Sequence, residues 1–155
     1  MFGLDVVEPL FHFIKAQFQA NPILWSSLWR SATDSQAAAW FTALAGGFNL
    51  KVTHFKDVEI YVKGVSQVPL EVFIALFEDM MKFDGTAIAA KIEKPVLVMS
   101  GDRDFVTPMK FQHELHHTIA KSEFVTIAYG SHCCQLDFPE FVNLKIEKFL
   151  DSLEA

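Results

Sequence analysis

The chain has 155 residues, of which 51% are hydrophobic, 21% are charged and 16 are phenylalanine. This composition excludes an intrinsically disordered chain, which would combine low hydrophobicity with high net charge. The net charge of −6 and the dispersed basic residues argue against a nucleic-acid-binding protein, which would present a basic face.

Membrane and secretory signals are not evident in the sequence. No segment contains the roughly 18 uninterrupted apolar residues of a membrane span. The N-terminus carries Asp5 and Glu8 where a secretory signal would be positively charged. The two cysteines, Cys133 and Cys134, are adjacent and suit no disulfide framework. We therefore expect a cytoplasmic protein without a membrane span.

Residues 1–91 are predicted to be mostly helical, in short pieces. Apolar side chains recur at helical spacing over residues 6–18, and Asn21-Pro22 ends that helix. Pro22 can begin a second short helix, since proline is tolerated in a first helical turn. A third helix is predicted over residues 35–45, where Gly46-Gly47 ends it.

The pattern changes after this third helix and then becomes helical again. Residues 48–55 alternate in polarity, which predicts a strand. Residues 58–65 return to helical spacing. The clearest helix of the region follows Pro69 and extends to about residue 83, with a broad apolar face.

Several of these helices carry aromatic side chains on one face: Phe11, Phe18, Trp25, Trp29, Trp40, Phe41, Phe73 and Phe77. One interpretation is ordinary core packing. The other is a hydrophobic lid over a substrate pocket, because ligand sites are largely apolar with a few polar groups. On the second interpretation, the candidate substrate-binding residues are Trp25, Trp29, Phe73 and Phe77.

The last sixty residues have a different character. Residues 95–100 and 123–129 are apolar runs typical of buried strands. A helix from Pro108 to about residue 119 separates them. A loop over residues 130–137 and a final amphipathic helix over 138–150 follow. This order predicts parallel strands joined by right-handed crossovers, as in an α/β sheet.

Chemistry-bearing residues follow each predicted strand. Asp102 and Asp104 come after the first strand, and His132 comes after the second. Because functional groups gather at the carboxyl ends of parallel strands, a carboxylate and the imidazole can approach hydrogen-bonding distance. A carboxylate that fixes the imidazole tautomer makes the histidine a general base for a nucleophile.

The segments KIEKPVLVMSGDRDFVTP and YGSHCCQLDFPEFVNLKIEKFL resemble the C-terminal part of the α/β-hydrolase family over residues 92–150. That family shows a buried strand running into G-[D/E]-x-D-x-[V/I/T]-x-P, a G-x-H loop, an acidic residue and Pro-Glu opening the last helix. The resemblance implies that Asp104, which precedes Phe105-Val106-Thr107-Pro108, is the triad acid. It implies that His132 is the triad base.

The resemblance also implies an α/β fold class and a division of the chain. Residues 1–91 would be a helical cap or lid, and residues 92–155 would be two C-terminal parallel β/α units of a partial α/β-hydrolase fold. The implied function is a serine-type, esterase-like hydrolase of a small or apolar acyl substrate, working without a cofactor.

The nucleophile of that family lies in a G-x-S-x-G turn ahead of the acid and the base. Here Gly64-Val65-Ser66-Gln67-Val68 lacks the second glycine and lies in a predicted helix. We expect the nucleophile and the first strands of the fold to precede residue 1. The alternative is a non-catalytic truncated remnant or association module. Because so much of the fold would be missing, strand 95–100 should have an unpaired edge that recruits the missing N-terminal half or a second copy. This predicts that the chain alone is oligomeric or poorly soluble.

Two further motifs compete with the hydrolase interpretation. His113-Glu114-Leu115-His116-His117 matches H-E-x-x-H, in which both outer histidines bind zinc and the glutamate is the general base. A third ligand would have to come from Glu123, His132 or Glu140, chosen by residue type alone. The preferred interpretation is a connector helix with exposed polar residues and no metal.

Cys133 directly follows His132, which raises the alternative of a cysteine–histidine nucleophile pair. The competing interpretation is a small buried cysteine without a chemical role, which is common in protein cores.

Overall fold

The computed structural model describes residues 4–33, 35, 37, 40 and 47–154, and these fall into two units. The first unit comprises the described residues of Met1–Leu44 together with Phe55–Phe83. The second comprises those of Ala45–His54 together with Asp84–Ala155. Each unit is therefore built from two separate stretches of the chain.

Four helices lie within the described residues of the first unit: α1 (Leu4–Ala20), α2 (Pro22–Thr33), α3 (Phe55–Ser66) and α4 (Leu70–Lys82). These confirm the helices predicted around residues 6–18, 22–29, 58–65 and 70–83. The predicted helix over residues 35–45 lies largely outside the described residues.

Proline and asparagine determine where these helices begin. Asn21 lies between the first two helices, and its side-chain Oδ1 accepts a hydrogen bond from the backbone N–H of Leu24 at 3.2 Å. This satisfies one of the N–H groups that a helix leaves unpaired at its start. Pro69 precedes α4 with φ −57°, a value its ring fixes without strain.

Aromatic packing holds the first unit together. Phe11, Leu70 and Ile74 are buried at its centre. Five further apolar side chains pack around them: Phe18, Trp25, Trp29, Phe77 and Met81. The indole N–H of Trp29 donates to the carbonyl of Val68 at 3.1 Å, which ties α2 to the turn between α3 and α4.

The predicted strand over residues 48–55 is wrong, because the described residues 47–54 form a series of turns instead. The Asn49 carbonyl accepts hydrogen bonds from the N–H groups of Val52 and Thr53. The Asn49 side chain accepts a further bond from the N–H of Lys51. Asparagine commonly closes such local turns, and this closure leaves no extended backbone to pair in a sheet.

The second unit has an α/β arrangement. Its elements in chain order are α5 (Thr86–Ala89), β1 (Val96–Gly101), α6 (Met109–Thr118), β2 (Ser122–Ile127), α7 (Cys134–Asp137) and α8 (Pro139–Glu154). The two strands pair in parallel, with Val96 opposite Ser122 and Gly101 opposite Ile127. The parallel pairing predicted from the order of elements is confirmed.

Two details of the second unit differ from the sequence-based expectation. The second strand ends at Ile127 rather than at residue 129, because Tyr129 has a φ of 63° and the Gly130 N–H turns back to the carbonyl of Ile127. The loop predicted over residues 130–137 contains the short helix α7. The carbonyl of Cys133 accepts the N–H groups of Leu136 and Asp137 there.

No helix in the described ranges is both long and apolar enough to cross a membrane by itself. Only α3 and α4 taken together, at a bend of 99°, reach that length and hydropathy.

Candidate active site

Two loops follow the parallel strands and lie side by side: the acid loop (residues 102–108) after β1, and the histidine loop (residues 128–133) after β2. A Cβ atom on Gly101 would fall 2.3 Å from the carbonyl oxygen of Gly130. The backbone N–H of Arg103 donates to that same oxygen at 2.9 Å. Only glycine permits this approach of the two backbones, and the approach brings the two loops into contact.

Asp104 and His132 meet between these loops. Nδ1 of His132 lies 3.0 Å from Oδ2 of Asp104. The other carboxylate oxygen accepts the backbone N–H groups of Val106 at 2.9 Å and Thr107 at 2.8 Å. The Thr107 hydroxyl donates to Oδ2 at 2.8 Å and lies 3.3 Å from Nδ1 of His132. Four donors therefore surround one carboxylate.

This arrangement keeps Asp104 ionised. Its side chain is only 6% exposed, and burial alone would raise its pKa. Hydrogen bonds from His132, from the Thr107 backbone and from the Thr107 hydroxyl outweigh that effect and lower the pKa of Asp104 below its usual range. The His132 side chain remains 38% exposed, and none of the described residues hydrogen-bonds its Nε2.

Residues 47–54, here called the strap, also contact the histidine loop. The carbonyl of Gly47 accepts the backbone N–H of His132 at 2.9 Å. Gly47 has a φ of 75°, and a Cβ atom there would fall 2.8 Å from both the Cβ of His132 and the Cγ2 of Val106. Glycine is therefore required at this position for two reasons, its backbone conformation and the space available.

The strap also holds the histidine loop through polar side chains. Asn49 donates from Nδ2 to the carbonyl of Tyr129 at 2.8 Å. The hydroxyl of Thr53 donates to Oδ1 of the buried Asp137. Oδ2 of Asp137 accepts the backbone N–H of Ser131 at 2.6 Å. Both oxygens of a buried carboxylate are thus used to fix the backbone next to His132.

The cysteine–histidine alternative is disfavoured by the surroundings of the two thiols. Burial and then the negative charge of Asp137 raise the pKa of Cys133 to about 11. Burial likewise raises the pKa of Cys134. A cysteine nucleophile needs the thiolate form and a lowered pKa, which these thiols lack.

The H-E-x-x-H segment lies on α6 with its outer histidines on one face. The ring centroids of His113 and His117 are 6.3 Å apart. The His113 ring also stacks on Phe124, with centroids 4.2 Å apart. Within the described ranges no three His, Cys, Asp or Glu side chains form a group suited to a metal ion. The third ligand sought among Glu123, His132 and Glu140 is therefore not assembled.

The four candidate substrate-binding residues all lie in the first unit. Trp25, Trp29 and Phe77 pack against its buried core, as the core-packing interpretation expects. Phe73 differs, since it is 39% exposed while its ring contacts Trp29 with centroids 5.0 Å apart. Contact with a substrate stays a prediction for all four, and Phe73 presents the most accessible ring.

Five residues that shape this site were not singled out from the sequence: Gly47, Thr53, Gly101, Thr107 and Asp137. Gly101 and Thr107 belong to the motif around Asp104, so their positions carried a usable signal. Asp137 stands just ahead of the Pro139-Glu140 pair, where the family resemblance already expected an acidic residue. Thr53 and Gly47 lie far away in sequence. Gly47 was assigned only to the end of a helix, and no local pattern marks the contact of either residue with the histidine loop.

Comparison with known proteins finds similarity to hydrolases over about half of the chain. Residues 81–155 match the family model described as TAP-like protein, which belongs to the α/β-hydrolases. Over 83 residues, 54% of this chain, the sequence is 30% identical to the putative carbamate hydrolase RutD of Caulobacter segnis. The chain spans 31% of the length of that relative. No solved structure matches the chain significantly.

The matched segment contains both strands, the acid loop and the histidine loop. The resemblance to the α/β-hydrolase family drawn from the sequence motifs is thus confirmed by the family match over residues 81–155.

Proposed function

We propose that this chain supplies the acid and the base of a serine-type hydrolase, Asp104 and His132, and that the serine comes from sequence outside these 155 residues. The observation that carries the proposal is the 3.0 Å contact between Nδ1 of His132 and Oδ2 of Asp104. In this proposal residues 92–155 are two C-terminal β/α units of the hydrolase core, and residues 1–91 contribute the cap.

The proposed mechanism follows from which imidazole nitrogen is occupied. Asp104 holds Nδ1, so Nε2 takes the proton of the serine hydroxyl as its oxygen attacks the substrate carbonyl carbon. The ionised Asp104 stabilises the imidazolium that forms. The tetrahedral intermediate then collapses and the leaving group departs with the proton from Nε2. A water molecule, deprotonated by Nε2, hydrolyses the acyl-enzyme in the same way.

The substrate class we propose is a small carboxylic ester or a carbamate. The ester follows from the serine-type chemistry, and the carbamate from the name of the Caulobacter segnis relative. Both present a carbonyl carbon to the nucleophile. Among the aromatic residues of the first unit, Phe73 is our first candidate for contact with the apolar part of the substrate, because its ring is partly exposed.

The first test determines the origin of the nucleophile. A fluorophosphonate probe, which labels activated serines, is incubated with the 155-residue chain and with the longest in-frame product of its gene. We expect no labelling of the 155-residue chain, and labelling of a longer product that contains an upstream G-x-S-x-G. Labelling of the short chain would contradict the proposal that the serine lies elsewhere.

The second test concerns the two residues themselves. In a product that labels, Asp104→Asn and His132→Gln should each lower kcat for p-nitrophenyl acetate by about 10³–10⁴-fold. Asp102→Asn is the matched control, because Asp102 lies in the same loop, is exposed, and is not the carboxylate that contacts His132. If Asp104→Asn retains the control's kcat, Asp104 is not the acid.

A second function, association without catalysis, is favoured by the sheet. The described part of the chain contains one sheet with two strands, so β1 and β2 each have an edge without a neighbouring strand. Exposed strand edges pair readily with other chains. If the chain is a truncated remnant or an association module, light scattering after size-exclusion chromatography should show a stable oligomer across dilution. A monodisperse monomer would count against this alternative, and equally against the proposal that the chain is a fragment of a larger sheet.

A further inference from the structure

Three consecutive backbone N–H groups around His132 are each tied to a different acceptor. The N–H of Ser131 donates to Asp137 at 2.6 Å. The N–H of His132 donates to the carbonyl of Gly47 at 2.9 Å. The N–H of Cys133 donates to the Ser131 hydroxyl at 3.2 Å. The backbone that carries the imidazole therefore has little freedom.

Asp137 is the centre of this arrangement. It is only 7% exposed, and its two oxygens accept from Thr53 on one side and from Ser131 on the other. A buried carboxylate is costly unless its oxygens are hydrogen-bonded, so its position is determined by these two donors. Thr53 belongs to the strap, which lies far from the histidine loop in sequence. The carboxylate thus links the strap to the residue next to His132.

We propose that Thr53 and Asp137 are positioning residues for His132, acting through the backbone of Ser131 to keep Nδ1 on Asp104. The His132 side chain is 38% exposed, so burial contributes less to its orientation than the backbone and the Asp104 contact do. A catalytic hydrogen bond of this kind depends on neighbouring residues that hold its donor and its acceptor in position. This positioning matters for catalysis only if the proposed function is correct. Its test measures the state of the His132 ring and does not require catalysis.

The readout is the tautomer of the neutral His132 ring. Multiple-bond ¹H–¹⁵N spectra of the ¹⁵N-labelled full chain, recorded at a pH where the ring is uncharged, distinguish the Nδ1–H form from the Nε2–H form. The ring signals of His132 are identified as those that disappear from the spectrum of the His132→Gln variant. In the wild type, the bond to Asp104 should hold the ring in the Nδ1–H form. Asp104→Asn shows what the spectrum becomes when that bond is lost.

The valine side chain introduced by Thr53→Val has nearly the same shape as that of threonine but lacks the hydroxyl. One oxygen of Asp137 therefore loses its hydrogen-bond donor. We expect a shift from the Nδ1–H form towards the spectrum of Asp104→Asn, in a chain whose far-UV circular dichroism shows that it is folded. Thr53→Ser keeps the hydroxyl and should restore the wild-type tautomer. A purely structural role would change the unfolding midpoint of Thr53→Val and leave the tautomer of the folded chain unchanged.

A folded Thr53→Val chain with the wild-type tautomer would overturn the proposal. So would an equal shift in Thr53→Ser, since the hydroxyl would then not be the cause. If Thr53→Val does not fold, Thr53→Ala is measured in its place and interpreted by the same criteria, because it removes the hydroxyl without crowding the site. Failure of the proposed function would appear as absent esterase activity, which the tautomer measurement does not involve.

Discussion

The core of the first unit and the surroundings of His132 in the second unit are held by different kinds of contact. In the first unit the central contacts join aromatic and aliphatic side chains, such as Phe11 against Phe77 with ring centroids 5.2 Å apart. In the second unit, buried polar groups around His132 are joined by hydrogen bonds of fixed direction. Apolar packing tolerates many substitutions of similar volume, whereas a directed hydrogen bond requires a particular atom. We therefore expect the two units to respond differently to substitution.

The tryptophans make this comparison measurable. Trp25, Trp29 and Trp40 are the three tryptophans of the chain, and all lie in the first unit. Tryptophan fluorescence therefore reports on unfolding of the first unit, while far-UV circular dichroism reports on both units.

The largest effect is expected from Phe11→Ala in the first unit. Phe11 is 7% exposed at the centre of the apolar cluster, and its truncation leaves a cavity that should cost about 3–5 kcal/mol of unfolding free energy. Urea unfolding followed by tryptophan fluorescence measures this cost. Phe13→Ala is the control, since Phe13 is 59% exposed in the same helix and should change stability by less than about 0.5 kcal/mol. Equal effects of the two would show that the cluster does not stabilise the unit.

A slightly smaller effect is expected from Gly101→Ala in the second unit. The new Cβ atom would overlap the carbonyl of Gly130, so the two loops must separate at a cost of about 3 kcal/mol. Urea unfolding followed by circular dichroism tests this. Gly64→Ala is the matched control in the first unit, because its Cβ meets nothing within 4 Å on helix α3 and should stabilise it by about 0.5 kcal/mol. A neutral Gly101→Ala would mean that the loops are not closely packed.

Asp104→Asn is expected to cost about 2 kcal/mol near neutral pH, because charge-assisted hydrogen bonds are replaced by weaker ones. Since the folded-state pKa of Asp104 is lowered, its ionised form stabilises the folded state above about pH 4, and this contribution is lost as the pH falls through the folded-state value. The difference between wild type and variant should therefore narrow in acid. A constant difference from about pH 6 to about pH 2 would contradict this assignment.

The smallest effect concerns an ion pair on the first unit. Glu78 contacts Lys15 at 2.5 Å and Lys82 at 2.9 Å, and the hydrogen bonds from Lys15 and then Lys82 lower the pKa of Glu78 to about 2. Carboxyl ¹³C titration should show this pKa rising more in Lys15→Gln than in Lys82→Gln, because Lys15 has the larger influence. Any stability that the charge supplies is present above the usual carboxyl pKa and is lost towards pH 2. The reverse order of the two variants would contradict the assignment.

The parts of the molecule that the sequence predicted well are those with a local signal. Apolar runs and their order predicted both strands and their parallel pairing, and the motif around Asp104 predicted its contact with His132. The strap was misjudged, because alternation over residues 48–55 is a local pattern and the turns there depend on Asn49. Thr53 and Gly47 act across long separations along the chain, and such tertiary contacts leave no periodicity to detect.

The strap has a further consequence for how the molecule folds. Residues 47–54 belong to the second unit, yet the chain must complete α3 and α4 of the first unit before it reaches β1. The contact between Gly47 and His132 closes a loop that contains the four helices α3 to α6 and both strands. Closing a long loop has an entropic cost before its contacts repay it, so we expect the histidine loop to be among the last parts to order during refolding. Deleting either end of the chain would therefore not isolate the second unit, whose parts lie on both sides of residues 55–83.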